Sequence, residues 1–218
     1  GTEEIIAEMD TDGNKDVSVF HEDMGTRHNE ILVPKIKEML DGVNWEIRDI
    51  DLICVGIGPG SFTGLRIGAT VAKGIEAITK TKTVGVPSMD AVIMNADSRD
   101  GEKIAIAEDA RKGKIYACIY ENKNGNFKRL SEYMLVTAHE FVTKIDFEIV
   151  VFGDAIIPYK HEFESNKHIK IDNGISRFPE ARNIARLGAK MLPELTQKHE
   201  EVEPLYLHSK EANITIKK

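Results

Sequence analysis

The sequence predicts an α/β protein of two small domains around a cleft, and three observations lead there. A fully apolar run, Leu52 to Ile57, passes through a glycine-rich loop into a helix-patterned stretch, the order of a buried parallel strand and the helix that follows it. After Ser98 the chain starts again with strand-patterned runs divided by tight turns and closes on a helix, so both halves carry similar sets of elements. The length, 218 residues, suits one large domain or two small ones and can bury a core without disulfides. We place residues 1–99 in an N-terminal domain and 100–218 in a C-terminal one, with the final tail free to pack back on the first.

Taken in order, Ile5 to Met9 is a strand, and Asp10-Thr11-Asp12-Gly13-Asn14 has the turn chemistry to form a hairpin with Val17 to Phe20. Leu32, Ile36, Met39 and Leu40 form the stripe of an amphipathic helix ending near Gly42, with Pro34 in its first turn or kinking it. The strand at 52–57, a helix over 64–80 and a short strand at 83–86 follow. Ser88 caps a helix whose buried stripe is Met89, Val92, Ile93 and Ala96. In the second half, 104–107, 114–120 and 127–136 are antiparallel strands with turns at 110–113 and 122–126. Thr137-Ala138-His139-Glu140 has the spacing of a capping box, Ile149 to Phe152 is a buried run, and Pro179 opens a last helix with the stripe Ile184, Leu187, Met191 and Leu195.

Composition removes several classes of function. The net charge is −7, so a polyanion such as RNA is repelled overall and a nucleic-acid role needs a basic partner. Cys54 and Cys118 sit in apolar runs without zinc-ligand spacing and read as reduced core thiols. No apolar stretch approaches the roughly 18 residues of a membrane span, and Gly1-Thr2-Glu3-Glu4 does not look like a signal peptide; the cytoplasm is the expected compartment.

Residues 56–68, Gly-Ile-Gly-Pro-Gly-Ser-Phe-Thr-Gly-Leu-Arg-Ile-Gly, carry the strongest signal. A glycine loop at a helix start can offer backbone N–H groups to an anion, yet the phosphate motifs fail. Thr63 and Leu65 stand where a P-loop needs its second glycine, and a dinucleotide site lacks both its third glycine and its acid over 78–84. Ser61 directly follows Gly60, so the hydrolase elbow does not fit. Gly64, Gly68 and Ala72 recur every four residues, a stripe for close packing. Spacing leaves two uses open, an internal contact with a sheet or an interface with another subunit.

The segment from Gly58 to Gly68, followed by Ala72-Lys73-Gly74, resembles the signature of the TsaB (YeaZ-type) family. His28-Asn29-Glu30-Ile31-Leu32-Val33-Pro34 is similar to that family's first-helix pattern, Asp109-Ala110-Arg111-Lys112-Gly113-Lys114-Ile115-Tyr116 to its D-A-R-x-G-x-V/I-Y turn, and Pro204-Leu205-Tyr206-Leu207 to its late P-x-Y-L. The resemblance implies the actin-like ATPase, Hsp70 and sugar-kinase (ribonuclease H-like) fold in two domains with a degenerate nucleotide site. It implies a non-catalytic subunit in synthesis of threonylcarbamoyladenosine on tRNA, paired with a TsaD-type paralogue and working with a TsaE-type ATPase. Further implications are a homodimer in the partner's absence, tRNA met only through the complex, no membrane, and no cofactor of its own, with ATP or ADP in the assembled complex. The paralogue's metal site uses histidines four residues apart, whereas Leu32 follows His28 at that spacing, so no metal is expected. Two departures are read from the resemblance: Gly1-Thr2-Glu3 aligns with the end of the family's first stretch, so its first strand is not expected within residues 1–218, and His208 replaces an Arg.

On this reading the partner surface comprises His28, Leu32, Ile36, Gly60, Ser61, Phe62, Thr63, Gly64, Arg66, Gly68 and Ala72. Arg66, a cation in the first turn of a helix, opposes the dipole and calls for an anionic or interface partner. Asp109 reads as the initiator of the turn before Gly113, with Glu108 beside it as an acid-base candidate. Arg111, Lys112 and Lys114 are a solvated turn or a contact with a partner or tRNA. The alternative function is an independent ATPase or phosphotransferase using the 58–64 loop; a peptidase is more remote still.

Overall fold

The computed structural model describes residues 3–8, 17–22, 28–195 and 202–207. The chain divides into two compact units, residues 1–91 with 178–205 and residues 92–177 with 206–218. The first crossing thus lies a few residues before the expected boundary, and the last helix belongs with the first unit.

In the first unit β1 (Glu3–Glu8) and β2 (Val17–Glu22) pair antiparallel, from Glu3 opposite Glu22 to Glu8 opposite Val17. The expected turn between them lies outside the described residues. Helix α1 (His28–Gly42) keeps Pro34 inside it, beyond the first turn. The Glu30 carbonyl loses its usual helical donor there, but Glu30 is exposed and water can serve it. β3 (Leu52–Gly56), α2 (Phe62–Thr79) and β4 (Lys82–Val86) form a βαβ unit with β3 and β4 parallel, Leu52 beside Lys82 and Gly56 beside Val86. Successive residues of β3 face opposite sides. Val55 lies under α2, where a Cβ on Gly68 would stand 3.3 Å from Val55 Cγ2. Cys54 lies under α6 (Ala181–Leu195), where a Cβ on Gly188 would overlap its sulfur. Two bare positions therefore let two helices sit close on one strand. The core here joins Val84, Val86, Ala91 and Ile184 to Leu52, Cys54, Leu187, Met191 and Leu192. Burial pushes the Cys54 thiol up to about 11, so it stays protonated, and both cysteines are free. The short α3 (Ser88–Val92) follows β4; Met89, Val92 and Ile93 are buried as expected, and Ala96 is half-buried.

The second unit is one mixed sheet in the order β10-β9-β5-β6-β7, with β8 also paired to β6. β5 (Lys103–Arg111) and β6 (Lys114–Lys123) form a hairpin, and β9 (Ile149–Phe152) runs parallel to both β5 and β10 (Ile169–Ile171). The single strand expected over 127–136 is two, β7 (Asn126–Arg129) and β8 (Met134–Val136). Ser131 explains the break: its Oγ accepts from Ile119 N at 3.0 Å while Leu130 N donates to Ile119 O at 2.8 Å, so a buried hydroxyl replaces one rung. Thr137 opens α4 (Ala138–Thr143) with the full capping box, Thr137 Oγ1 accepting from Glu140 N and Glu140 Oε2 from Thr137 N. Helix α5 (Lys160–Glu164) and β10 were not expected, being too short to show a period. Phe141, Phe163, Ile115, Ile119 and Val151 are fully buried in the core of this unit.

Gly153, at the end of β9, is a position that only glycine fills. Its φ is +126°, and a Cβ there would overlap the carbonyl of Ala107 on β5.

Candidate functional site

The loop between β3 and α2 is braced from within. Ile57 N continues the ladder to Val86 O at 2.9 Å. Gly58 and Ser88 bond reciprocally, Gly58 N donating to Ser88 Oγ at 3.1 Å and Ser88 N to Gly58 O at 2.8 Å. Gly58 has φ +98°, and a Cβ would press on Leu65 Cδ1 at 2.7 Å, so this turn requires glycine. Ser61 caps α2: its Oγ accepts from Gly64 N at 3.3 Å and its carbonyl from Leu65 N at 3.0 Å. The amides of Ile57, Gly58, Gly64 and Leu65 are thus engaged inside the protein, which leaves a poor cradle for phosphate. Among the described residues no base hydrogen-bonds to Ser61 and no cluster of His, Cys, Asp or Glu is placed to hold a metal.

Past Gly58 and Pro59, which are buried, the loop emerges: Gly60, Ser61, Phe62, Thr63 and Arg66 are all exposed, Phe62 at 55%. The guanidinium of Arg66 lies 4.5 Å over the Phe62 ring. Its partner within the chain is therefore an aromatic face, an arrangement that also offsets the unfavourable helix dipole. Leu32, Ile36 and Gly64 are half-buried, and the side chain of His28 lies outside the described residues.

The small-residue stripe resolves to the internal alternative at two of its three positions. Gly68 faces Val55, and Ala72 is 3% exposed. Both thus make contacts within this chain, at positions that the sequence also offered to a partner. One register over, Arg66, Thr70, Gly74 and Ile78 are exposed, with Ile78 at 83%. The i, i+4 spacing alone does not say what the small-residue row packs against; the strand beneath decides.

In the second unit Asp109 behaves as a turn initiator, its Oδ1 accepting from Arg111 N at 2.9 Å and its Oδ2 pairing with Arg111 Nη1 at 3.2 Å. Arg111, Lys112 and Gly113 all take positive φ, which makes the hairpin turn. Asp154 Oδ1 accepts from Asp109 N at 2.7 Å, and its Oδ2 lies 3.6 Å from Arg177 Nη1. Glu108, half-buried among them, is pushed up to about 8, first by burial and then by the charge of Asp154, against a smaller opposite pull from Arg177. Three carboxyl groups thus stand at the carboxyl ends of parallel strands β5 and β9, where open sheets take their ligands. Sequence reasoning singled out Glu108 and Asp109 but missed Asp154 and Arg177, which only the β5–β9 pairing brings near.

The first unit is thus an α/β one whose glycine loop bonds to itself and whose following helix starts with an exposed aromatic-basic pair. The match to known proteins is specific. The family model described as TsaD, tRNA N6-adenosine threonylcarbamoyltransferase, matches residues 18–215. The chain is similar to the tRNA threonylcarbamoyladenosine biosynthesis protein TsaB of Escherichia coli, 25% identical over 197 residues that cover 88% of this chain and 84% of that one. TsaB of Bacillus subtilis is 28% identical over 166 residues, covering 74% and 72%. In structure it resembles YeaZ from Pseudomonas aeruginosa, with a TM-score of 0.72 at 22% identity over 92% of each chain. This chain belongs to the TsaD family and, within it, to the TsaB (YeaZ-type) proteins.

Proposed function

We propose that the chain serves tRNA threonylcarbamoyladenosine synthesis as a non-catalytic scaffold and activating subunit, pairing with a TsaD-type transferase and working with a TsaE-type ATPase. The names of its relatives support the pathway. One observation carries the scaffold reading: the loop that a nucleotide enzyme would open to phosphate spends its amides on Val86, Ser88 and Ser61, while Phe62 and Arg66 face outward. An exposed aromatic beside an arginine is the composition of an interface anchor. On this reading Leu32, Ile36 and residues 60–64 with Arg66 form one surface, used for a second copy when the partner is absent. The fold is the two-domain actin-like one with a degenerate nucleotide site. ATP or ADP then enters with the assembled complex, and tRNA, repelled by a net charge of −7, is met through the partner in the cytoplasm.

Sedimentation of the chain alone and mixed with the TsaD-type protein of the same genome tests this. A self-associated chain that converts to a mixed complex is the expected result, with Arg66→Glu weakening both; two species that ignore each other refute it. ATP turnover by the chain alone, lost on substitution of Gly60, would instead establish the independent ATPase.

A further inference from the structure

We infer that residues 202–205 act as a strap which fixes the loop before α2 and thereby sets partner binding from behind the binding face. Leu205 N donates to Ile57 O at 2.7 Å. Val202 is buried, and its Cγ1 lies 3.6 Å from where a Cβ on Gly85 would stand. That position is bare because the Ile57 side chain fills it: a Cβ on Gly85 would meet Ile57 Cγ2 at 2.7 Å. Ile57 is therefore gripped three ways, by Val86 through its N–H, by Leu205 through its carbonyl, and by the groove over Gly85 through its side chain. The next residue, Gly58, is held twice by Ser88, and the chain then turns outward to Gly60, Ser61 and Phe62.

The strap matters because of what it leaves to water if removed. The Val86 and Ser88 bonds hold one side of Ile57 and Gly58; without Leu205 the opposite carbonyl is satisfied by solvent in many orientations, and the left-handed turn at Gly58 is no longer singly determined. Losing one such hydrogen bond raises the population of open loop by about fivefold to tenfold. Binding by a preformed loop falls in proportion to the fraction that keeps its shape. This inference assigns a role to the Pro204-Leu205-Tyr206-Leu207 motif, and its second clause rests on the scaffold reading.

The test separates the two. Leu205→Pro removes the N–H donor, Leu205→Ala keeps it, and Val202→Asp undocks the strap through burial of a charge. Hydrogen exchange of peptides covering 56–62, measured on the full chain alone, needs no partner. At least fivefold faster exchange in Leu205→Pro and Val202→Asp, with Leu205→Ala close to wild type, is the expected outcome; unchanged exchange in both overturns the strap. Sedimentation with the TsaD-type protein then reads the second clause: association weakened in the same two variants and kept in Leu205→Ala supports it, and equal association despite faster exchange overturns it. A wild-type chain that does not associate at all refutes the scaffold reading, while the exchange data still decide whether the strap holds the loop.

Discussion

Replacing Glu108 by Gln should remove the share of the pH dependence of stability between about pH 5 and 8.5 that this one carboxyl carries. The native carboxyl is carried from its ordinary 4.5 to about 8 by burial beside Asp154. Between those values the native state holds a proton that the unfolded state has released, so stability is full below about 4.5, falls as pH rises, and levels off above about 8. At the limit the loss is about 5 kcal/mol, since each pKa unit is worth roughly 1.4 kcal/mol. Local relaxation around the buried charge, which makes the effective dielectric higher than that of dry protein, brings the expected loss down to about 2–3 kcal/mol. Gln mimics the neutral acid in shape and carries no charge to desolvate. Urea unfolding of wild type and Glu108→Gln, run at several pH values, gives two curves whose difference isolates this group, because the histidines and remaining carboxylates contribute to both. The curves should meet near pH 4.5 and separate to about 2–3 kcal/mol by pH 8.5, the variant being the more stable. Parallel curves would show that the Glu108 carboxyl is hydrated or otherwise paired, and the account of the β5 end would fall with them.

Three further outcomes follow from positions where the geometry leaves little freedom. Gly153→Ala drives a methyl into the Ala107 carbonyl at φ +126°, and should cost at least about 3 kcal/mol in urea unfolding; a cost under 1 kcal/mol would mean that β5 and β9 separate easily. Gly68→Leu should lose about 1–3 kcal/mol against Val55, whereas Gly74→Leu, with nothing within 4 Å of its Cβ, should hold or gain stability; equal melting temperatures would reverse the assignment of the two faces of α2. The Thr137 backbone N–H and then its hydroxyl hold the Glu140 carboxyl below its usual range, so Thr137→Ala should cost about 1 kcal/mol and move the Glu140 titration upward, read by carboxyl NMR.

What the sequence disclosed and what it hid divide along the distance between interacting residues. The β3-loop-α2 unit, the Thr137 box and the turn at Arg111 to Gly113 were legible because their causes lie within a few residues: an apolar run, a hydroxyl three residues from a carboxylate, an aspartate two residues from the amide it accepts from. The buried face of α2 was not, because the row Gly64, Gly68 and Ala72 suits a sheet contact and a subunit interface equally well, and Val55 makes the choice. The strand over 127–136 broke at Ser131, a residue that alternation treats as merely polar but whose hydroxyl takes over the Ile119 amide. Glu108 looks ordinary beside Asp109 until β9 brings in Asp154 and the chain before α6 brings in Arg177.

The strap on Ile57 is the extreme case. Its decisive group is a backbone N–H, which every residue except proline supplies, so the identity of Leu205 carries almost no trace of the bond it makes. Ser88 is more informative, since few side chains are short enough to accept from Gly58 N while their own amide donates back to the Gly58 carbonyl. A loop fixed by one side-chain acceptor and several backbone groups can keep its shape through wide changes of sequence elsewhere. Such bracing suits a surface whose task is to present Phe62 and Arg66 in one arrangement, and it places the sensitive substitutions at Gly58, Gly85 and Ser88, behind the residues that would touch a partner.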